Sequence, residues 1–261
     1  MKAIALILCL SPLLITTSCK QVQKEQKAKQ AEEDLHKSLR DLTAAQREQF
    51  EKTGEITSDS GNVDKVIRAA EEMEANGNAD KAAEGKAIRL WMEIMKREEA
   101  ILTKGANELL KCVEYASIKK KEDVDGLSEI VHKYQKINAA SKEGINGKWI
   151  QEVKDQLKTD GVTTARINTL ISSLESGFSK VKPTLLTIRQ TDTALCEAVL
   201  EQHAILKKNF GHWHWDEAQG VPVFAEDVDD AVIDEYNAAA NKLQKAANEQ
   251  AAAQAKLIQQ Q

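Results

Sequence analysis

Five consecutive residues late in the chain carry side chains that could do chemistry: His212, Trp213, His214, Trp215 and Asp216. Alternate side chains of a β-strand point to opposite faces, so His212, His214 and Asp216 would share one face and the two tryptophans the other. Imidazole and carboxylate groups on one face are ligands that zinc and copper accept. The spacing therefore raises a metal site as one hypothesis, although no HExxH helix and no neighbouring cysteine accompanies it.

Two other interpretations of this segment need no metal. Trp213 and Trp215 could stack on a sugar or anchor a protein partner. More simply, the tryptophan face could cover the end of a helical bundle while the histidine face meets water. We therefore predict no bound metal and no cofactor, and we assign the five residues to a candidate partner or ligand surface.

Motifs of known catalytic machinery are missing from the sequence. There is no GxSxG elbow, no phosphate-binding P-loop, no GxGxxG after a strand and no supported Cys/His nucleophile pair. The chain has 36 Lys and Arg against 41 Asp and Glu, a net charge of −5. Nucleic-acid binding needs clustered positive charge, so we expect no nucleic-acid partner. These observations predict a protein that is not an enzyme.

The first nineteen residues have the three parts of a secretory signal. Lys2 supplies a positive charge, an apolar run extends from Ala3 to Ile15, and small residues lead to Cys19. The run is too short to cross a bilayer as a helix. Because it ends at this cysteine, the segment resembles a bacterial lipoprotein signal, in which the peptidase cuts before a lipidated cysteine. The alternative is an ordinary signal peptide that happens to contain a cysteine.

The lipoprotein resemblance implies a location. Acyl chains contribute about 0.8 kcal/mol per buried CH₂, so several of them on Cys19 would hold the protein on a membrane. By the same resemblance, Lys20 after the cysteine favours the outer membrane of a Gram-negative cell, with the protein facing the periplasm. We therefore expect a membrane contact through the lipid and an envelope protein as partner.

Two further cysteines, Cys112 and Cys196, lie in the body of the chain, each beside an apolar line of a predicted helix. The predicted compartment is oxidising, which permits a disulfide between them. In the chain-entropy model, closing so long a loop stabilises a protein by about 4 to 5 kcal/mol. Two buried free thiols fit the sequence equally well, and both alternatives stay open.

The fold class follows from a long apolar repeat between Ile167 and Leu206. Its twelve positions, at alternating steps of three and four, are Ile167, Ile171, Leu174, Phe178, Val181, Leu185, Ile188, Asp192, Leu195, Val199, Gln202 and Leu206. Only Asp192 and Gln202 are polar, and polar residues in such seams commonly fix helix register. A second seam from Ile88 to Ala116 can cover the first within one chain. We expect Pro183 to kink or split the long helix.

Composition and pattern together predict an all-α protein. Gly and Pro are sparse and only 4% of residues are aromatic, which favours long helices. We predict an elongated antiparallel helical bundle or coiled coil with one small β-hairpin near residues 211–224, where polar and apolar residues alternate around Gly220. Residues 1–18 form the signal peptide, residues 19–42 the lipidated cysteine and a charged tether, and residues 43–261 the bundle. A capping box at Thr43 would restart the helix there.

Several short motifs occur in the order found in a family of uncharacterised small bacterial lipoproteins that carry a domain of unknown function. They are Leu42-Thr43-Ala44-Ala45-Gln46 with Phe50, the extended passage from Gly220 to Phe224, and Glu235-Tyr236-Asn237 with Leu243. The chain resembles that family over most of its mature length. No catalytic residues are known for the family, so the resemblance implies an anchored helical module. We predict a lipid-anchored, non-enzymatic structural or interaction module; the alternative is a periplasmic ligand- or metal-binding lipoprotein that uses the Trp/His hairpin.

Overall fold

The computed structural model of the chain describes residues 22–53 and 60–260. Within that part, seven α-helices and two strands follow one another: α1 (Val22–Thr53), α2 (Ser60–Asn76), α3 (Ala79–Leu110), α4 (Lys121–Glu143), α5 (Trp149–Thr159), α6 (Thr164–Lys208), β1 (Trp213–Asp216), β2 (Val221–Phe224) and α7 (Asp230–Gln259). The all-α class with one small hairpin is confirmed. The signal peptide and Cys19 lie outside the described residues.

The chain divides into two compact units. In the described residues, the first unit holds residues 101–142 and 186–254. The second unit holds residues 22–53, 60–100, 143–185 and 255–260. Helices α3, α4, α6 and α7 contribute residues to both units, and β1 and β2 belong to the first.

The predicted apolar seam is the buried face of α6. All twelve of its positions are buried, including the polar Asp192 and Gln202. The sequence predicted a kink or a split at Pro183. Pro183 lies inside α6, and the helix is not split there. One missing N–H removes one backbone hydrogen bond from a helix of 45 residues. Burial of Val181 and Leu185 on either side offsets that loss, because tertiary packing supplies most of a helix's stability.

Helix α1 does not restart at Thr43. It is continuous from Val22 to Thr53, and the Thr43 hydroxyl donates to the Leu39 carbonyl at 3.1 Å instead of capping a new helix. Ala31 and Leu35, inside the segment predicted as a tether, are buried. The part of the predicted tether that lies in α1 therefore has a buried face. The high charge of the segment gave no indication of that face.

Close backbone approach shapes the second unit in two places. A Cβ placed on Gly85 of α3 would lie 2.6 Å from the Ala70 carbonyl oxygen of α2, so glycine lets these helices touch. Between α4 and α5, residues 144–148 form a π-helical turn, and Gly147 there has φ of 132°. A Cβ on Gly144 would lie 2.0 Å from the Trp149 indole. The chain therefore passes from α4 to α5 through this π-turn.

Candidate functional site

The hairpin at the end of α6 has two distinct faces. Strands β1 and β2 are antiparallel, with the pairs Trp213–Phe224, His214–Val223, Trp215–Pro222 and Asp216–Val221. Cross-strand partners share a face, so the tryptophans lie with Phe224 and Pro222. The opposite face carries His214, Asp216, Val221 and Val223, and we call these four residues the outer hairpin face. His214 and Val221 are exposed.

Neither tryptophan is free in solvent. Trp213 and Trp215 are both half-buried. The Trp213 indole donates to the Leu206 carbonyl at 2.9 Å, and the Trp215 ring packs edge-on against Tyr115 with centroids 5.9 Å apart. The two indoles therefore hold the hairpin on the helices of the first unit. This matches the simplest of the three sequence interpretations and leaves the outer hairpin face as the accessible surface.

Of the three polar residues weighed as metal ligands, His212 and Asp216 have separate protein partners. His212 precedes β1, and its Nδ1 lies 3.2 Å from an Asp227 carboxylate oxygen. Asp216 accepts backbone N–H groups of Ala218 and Gln219 at 2.8 and 3.1 Å, which closes the hairpin turn. In the described residues, no group of three His, Cys, Asp or Glu side chains is arranged to hold a metal ion.

A buried polar network surrounds Asp192, one of the two polar seam residues. Its carboxylate is fully buried and accepts hydrogen bonds from Tyr134 of α4 at 3.0 Å and from Gln250 of α7. The Arg189 guanidinium, one helical turn earlier on α6, lies 3.0 Å from the same carboxylate. Asp192 thus joins three helices of the first unit.

Electrostatics at Asp192 result from two opposing effects. Burial raises the pKa of the carboxyl, whereas the Arg189 charge and the Tyr134 hydrogen bond lower it. All three neighbours are donors, an arrangement that fits an ionised carboxylate. Burial, together with the Asp192 charge, also raises the pKa of Tyr134 above its usual range.

A second polar cluster lies beneath the hairpin. His203 of α6 is 1% exposed; its Nε2 lies 2.8 Å from the Cys112 carbonyl oxygen and its Nδ1 2.9 Å from the Ser128 hydroxyl. The Cys112 carbonyl can only accept, so Nε2 carries a proton. The single proton of the Ser128 hydroxyl is shared between Nδ1 and the Val124 carbonyl oxygen, which lies 3.0 Å from that hydroxyl. Burial lowers the pKa of His203. Gln202, the other polar seam residue, accepts from the Tyr115 hydroxyl at 2.8 Å.

Cys112 and Cys196 are free thiols. Both are fully buried in one apolar cluster of the first unit, which also contains Leu109, Val131 and Val199. Burial raises the pKa of Cys112 to about 11 and that of Cys196 to about 12. The thiolate is the reactive form, so these two thiols are poor nucleophiles. The disulfide that the sequence allowed is not formed in this structure.

The second unit has an open cleft of about 390 Å³ between the start of α3 and the α5–α6 turn. Its cations already have acidic partners. Lys86 lies 3.2 Å from both Glu74 and Asp160, and the Arg166 guanidinium lies 3.5 Å from the Glu84 carboxylate. The charged side chains at this cleft therefore form ion pairs with one another.

The sequence indicated where the polar network lies but not which residues form it. Asp192 interrupts an apolar seam, which correctly indicated a buried polar position. Arg189, at a spacing of three on the same helix, was a local clue to the ion pair. Tyr134 and Gln250 lie 58 residues from Asp192 in opposite directions along the chain, and no sequence pattern joins them.

Comparison of the chain with protein-family models, curated proteins and solved structures finds no match. Among the described helices, none is both long and apolar enough to cross a membrane. The lipoprotein-family resemblance stays a prediction.

Proposed function

We propose that the protein is a lipid-anchored lipoprotein of the cell envelope whose helical bundle serves as a non-enzymatic structural or interaction module. One observation carries the proposal. A positive start, a short apolar run and small residues end at Cys19, and a Lys- and Gln-rich stretch begins at once after it. Lipid on Cys19 would supply a membrane contact that needs no spanning helix. Lys20 supports the outer membrane, facing the periplasm, as the location.

Two cysteine variants test the anchor, because the apolar run contains a second cysteine that serves as control. Cys19→Ala should abolish incorporation of labelled palmitate and release the protein from the membrane fraction. Cys9→Ala should leave both unchanged, since that residue leaves with the signal peptide. Mass spectrometry should find an acylated cysteine at the mature N-terminus. A Cys19→Ala protein that still incorporates lipid would refute the proposed anchor.

The outer hairpin face is the surface we assign to an envelope partner. The indoles fix the hairpin on the first unit and leave His214 and Val221 accessible, so a partner would meet a preformed surface and lose little entropy on binding. Elsewhere on the first unit, the exposed Lys242 already pairs with Glu201 at 2.7 Å.

A photo-crosslinking residue at position 221 should capture a specific envelope protein in intact cells. The same residue at position 245 is the control, because the Lys245 side chain is 78% exposed on α7, away from the hairpin in sequence. His214→Ala should weaken the position-221 adduct without altering helix content. Identical adducts at both positions would argue against the hairpin as the contact.

A further inference from the structure

The contact between α4 and α6 in the first unit contains three buried polar atoms that have no hydrogen-bond partner within the protein. They are Oδ1 of Asn138, Oγ of Ser141 and Nη1 of Arg189. The residues are 2%, 1% and 3% exposed. Native proteins rarely leave such atoms unpaired, because the lost hydrogen bonds to bulk water are not replaced. Three of them at one helix contact point to a bound polar molecule.

The hydrogen bonds that each side chain already makes determine which donor or acceptor it has left. The Asn138 amide nitrogen donates to the Arg189 carbonyl at 2.8 Å and to the Thr193 hydroxyl at 3.0 Å, so its Oδ1 is the remaining acceptor. Arg189 uses Nη2 on Asp192 and keeps Nη1 as a donor. Ser141 lies three residues after Asn138 and therefore on the same face of α4. Its hydroxyl can donate or accept.

This set of groups excludes a simple ion. An anion would satisfy Arg189 and Ser141 but not the acceptor oxygen of Asn138, and a cation would be repelled by the guanidinium. Water both donates and accepts, and a buried water typically makes about three hydrogen bonds. Lys142, half-buried at the end of α4, donates to the Thr193 hydroxyl at 2.7 Å and marks the edge of the polar contact nearest to solvent.

We infer that ordered water molecules bind at the α4–α6 contact and complete the hydrogen bonding of Asn138, Ser141 and Arg189. They link the Asp192 network to the neighbouring turns of α4, so the polar contact is larger than its direct hydrogen bonds. The inference rests on the first unit alone and does not depend on the proposed membrane anchor.

A high-resolution crystal structure of the protein tests the inference directly. We expect water oxygens within about 2.7–3.2 Å of Arg189 Nη1, Asn138 Oδ1 and Ser141 Oγ. A bound anion at Arg189 would overturn it. Direct contacts among the three side chains, with no water between them, would overturn it as well.

The stability of Ser141→Ala provides a second test. A hydroxyl bonded to water loses hydrogen bonds on truncation, whereas removal of a dry, unpaired hydroxyl relieves a cost. We expect the thermal midpoint of Ser141→Ala to be equal to or below that of Ser179→Ala, an exposed serine of α6 whose hydroxyl bonds to its own helix. A midpoint clearly above that of the control would contradict bound water.

Discussion

At the scale of single residues, Asp192 connects more of the first unit than any other charge described above. Its carboxylate accepts hydrogen bonds from Tyr134 of α4 and Gln250 of α7 and pairs with Arg189 of α6. A buried ion pair contributes little compared with an apolar pair of the same shape, but removing one partner leaves the other charge buried and unpaired. Asp192 is therefore a position where a small change has a large effect.

Asp192→Asn keeps the shape of the side chain and removes its charge. We expect a loss of about 1–3 kcal/mol in unfolding free energy, because Arg189 remains buried without a counter-charge, while burial already disfavours the charged form of Asp192 and raises its pKa. Glu201→Gln on the same helix is the matched control. It breaks an exposed pair with Lys242 and should cost less than about 1 kcal/mol. Urea unfolding of both variants gives the comparison, and equal losses would mean that the Asp192 pair is not buried in solution.

Cys112 and Cys196 should not react with iodoacetamide in the folded protein. Both are fully buried and their raised pKa values keep them protonated at neutral pH. In denaturant without a reductant, both should be alkylated, as peptide mass spectrometry will reveal. Labelling of either thiol in the folded state would contradict the burial. Labelling that requires a reductant would reveal a disulfide in the native protein.

At the scale of elements, packing overrides local signals in two helices. Thr43 and Gln46 have the spacing of a capping box, yet α1 runs through them because Leu42 is buried on the same helix. Pro183 does not split α6 for the same reason. Gly85 of α3 is a different case, because an added side chain there would occupy the space of the α2 backbone.

Gly85→Ala tests the close approach of α2 and α3. The added methyl would lie 2.6 Å from the Ala70 carbonyl oxygen, and backbone cannot move aside cheaply. We expect a loss of about 1–3 kcal/mol. Gly126→Ala in α4 is the control, because nothing lies within 4 Å of its added methyl. That change should stabilise the protein by about 0.5–1 kcal/mol through helix propensity. The two variants should shift the thermal midpoint in opposite directions, and shifts of the same sign would contradict the close approach.

At the scale of the whole molecule, the free energy of unfolding depends on pH through contributions of opposite sign. Burial lowers the pKa of His203 below that of the unfolded chain. The unfolded state then binds more protons, so this contribution is complete above the usual histidine pKa of about 6.5 and is lost as the pH falls below it. Burial raises the pKa of Asp192, and that contribution decreases as the pH rises through the folded value.

His203→Gln isolates the histidine contribution. The amide can still donate to the Cys112 carbonyl, but it does not titrate. We expect the variant to lose less stability than the wild type between pH 7.5 and pH 5, measured by chemical unfolding at each pH. His132→Gln is the control, since the hydrogen bond of His132 to Gln135 is exposed. The result would be contradicted if His132→Gln flattened the profile as much.

The sequence by itself determined the helical class, the buried face of α6 and the hairpin near Gly220, because these depend on residue spacing along one stretch of chain. It also marked Asp192 and Gln202 as buried polar positions. Only the tertiary structure decided their partners, the inward position of Trp213 and Trp215 and the packed face of α1. Those outcomes depend on which distant side chains meet, and a periodic pattern records that a face is covered without recording what covers it.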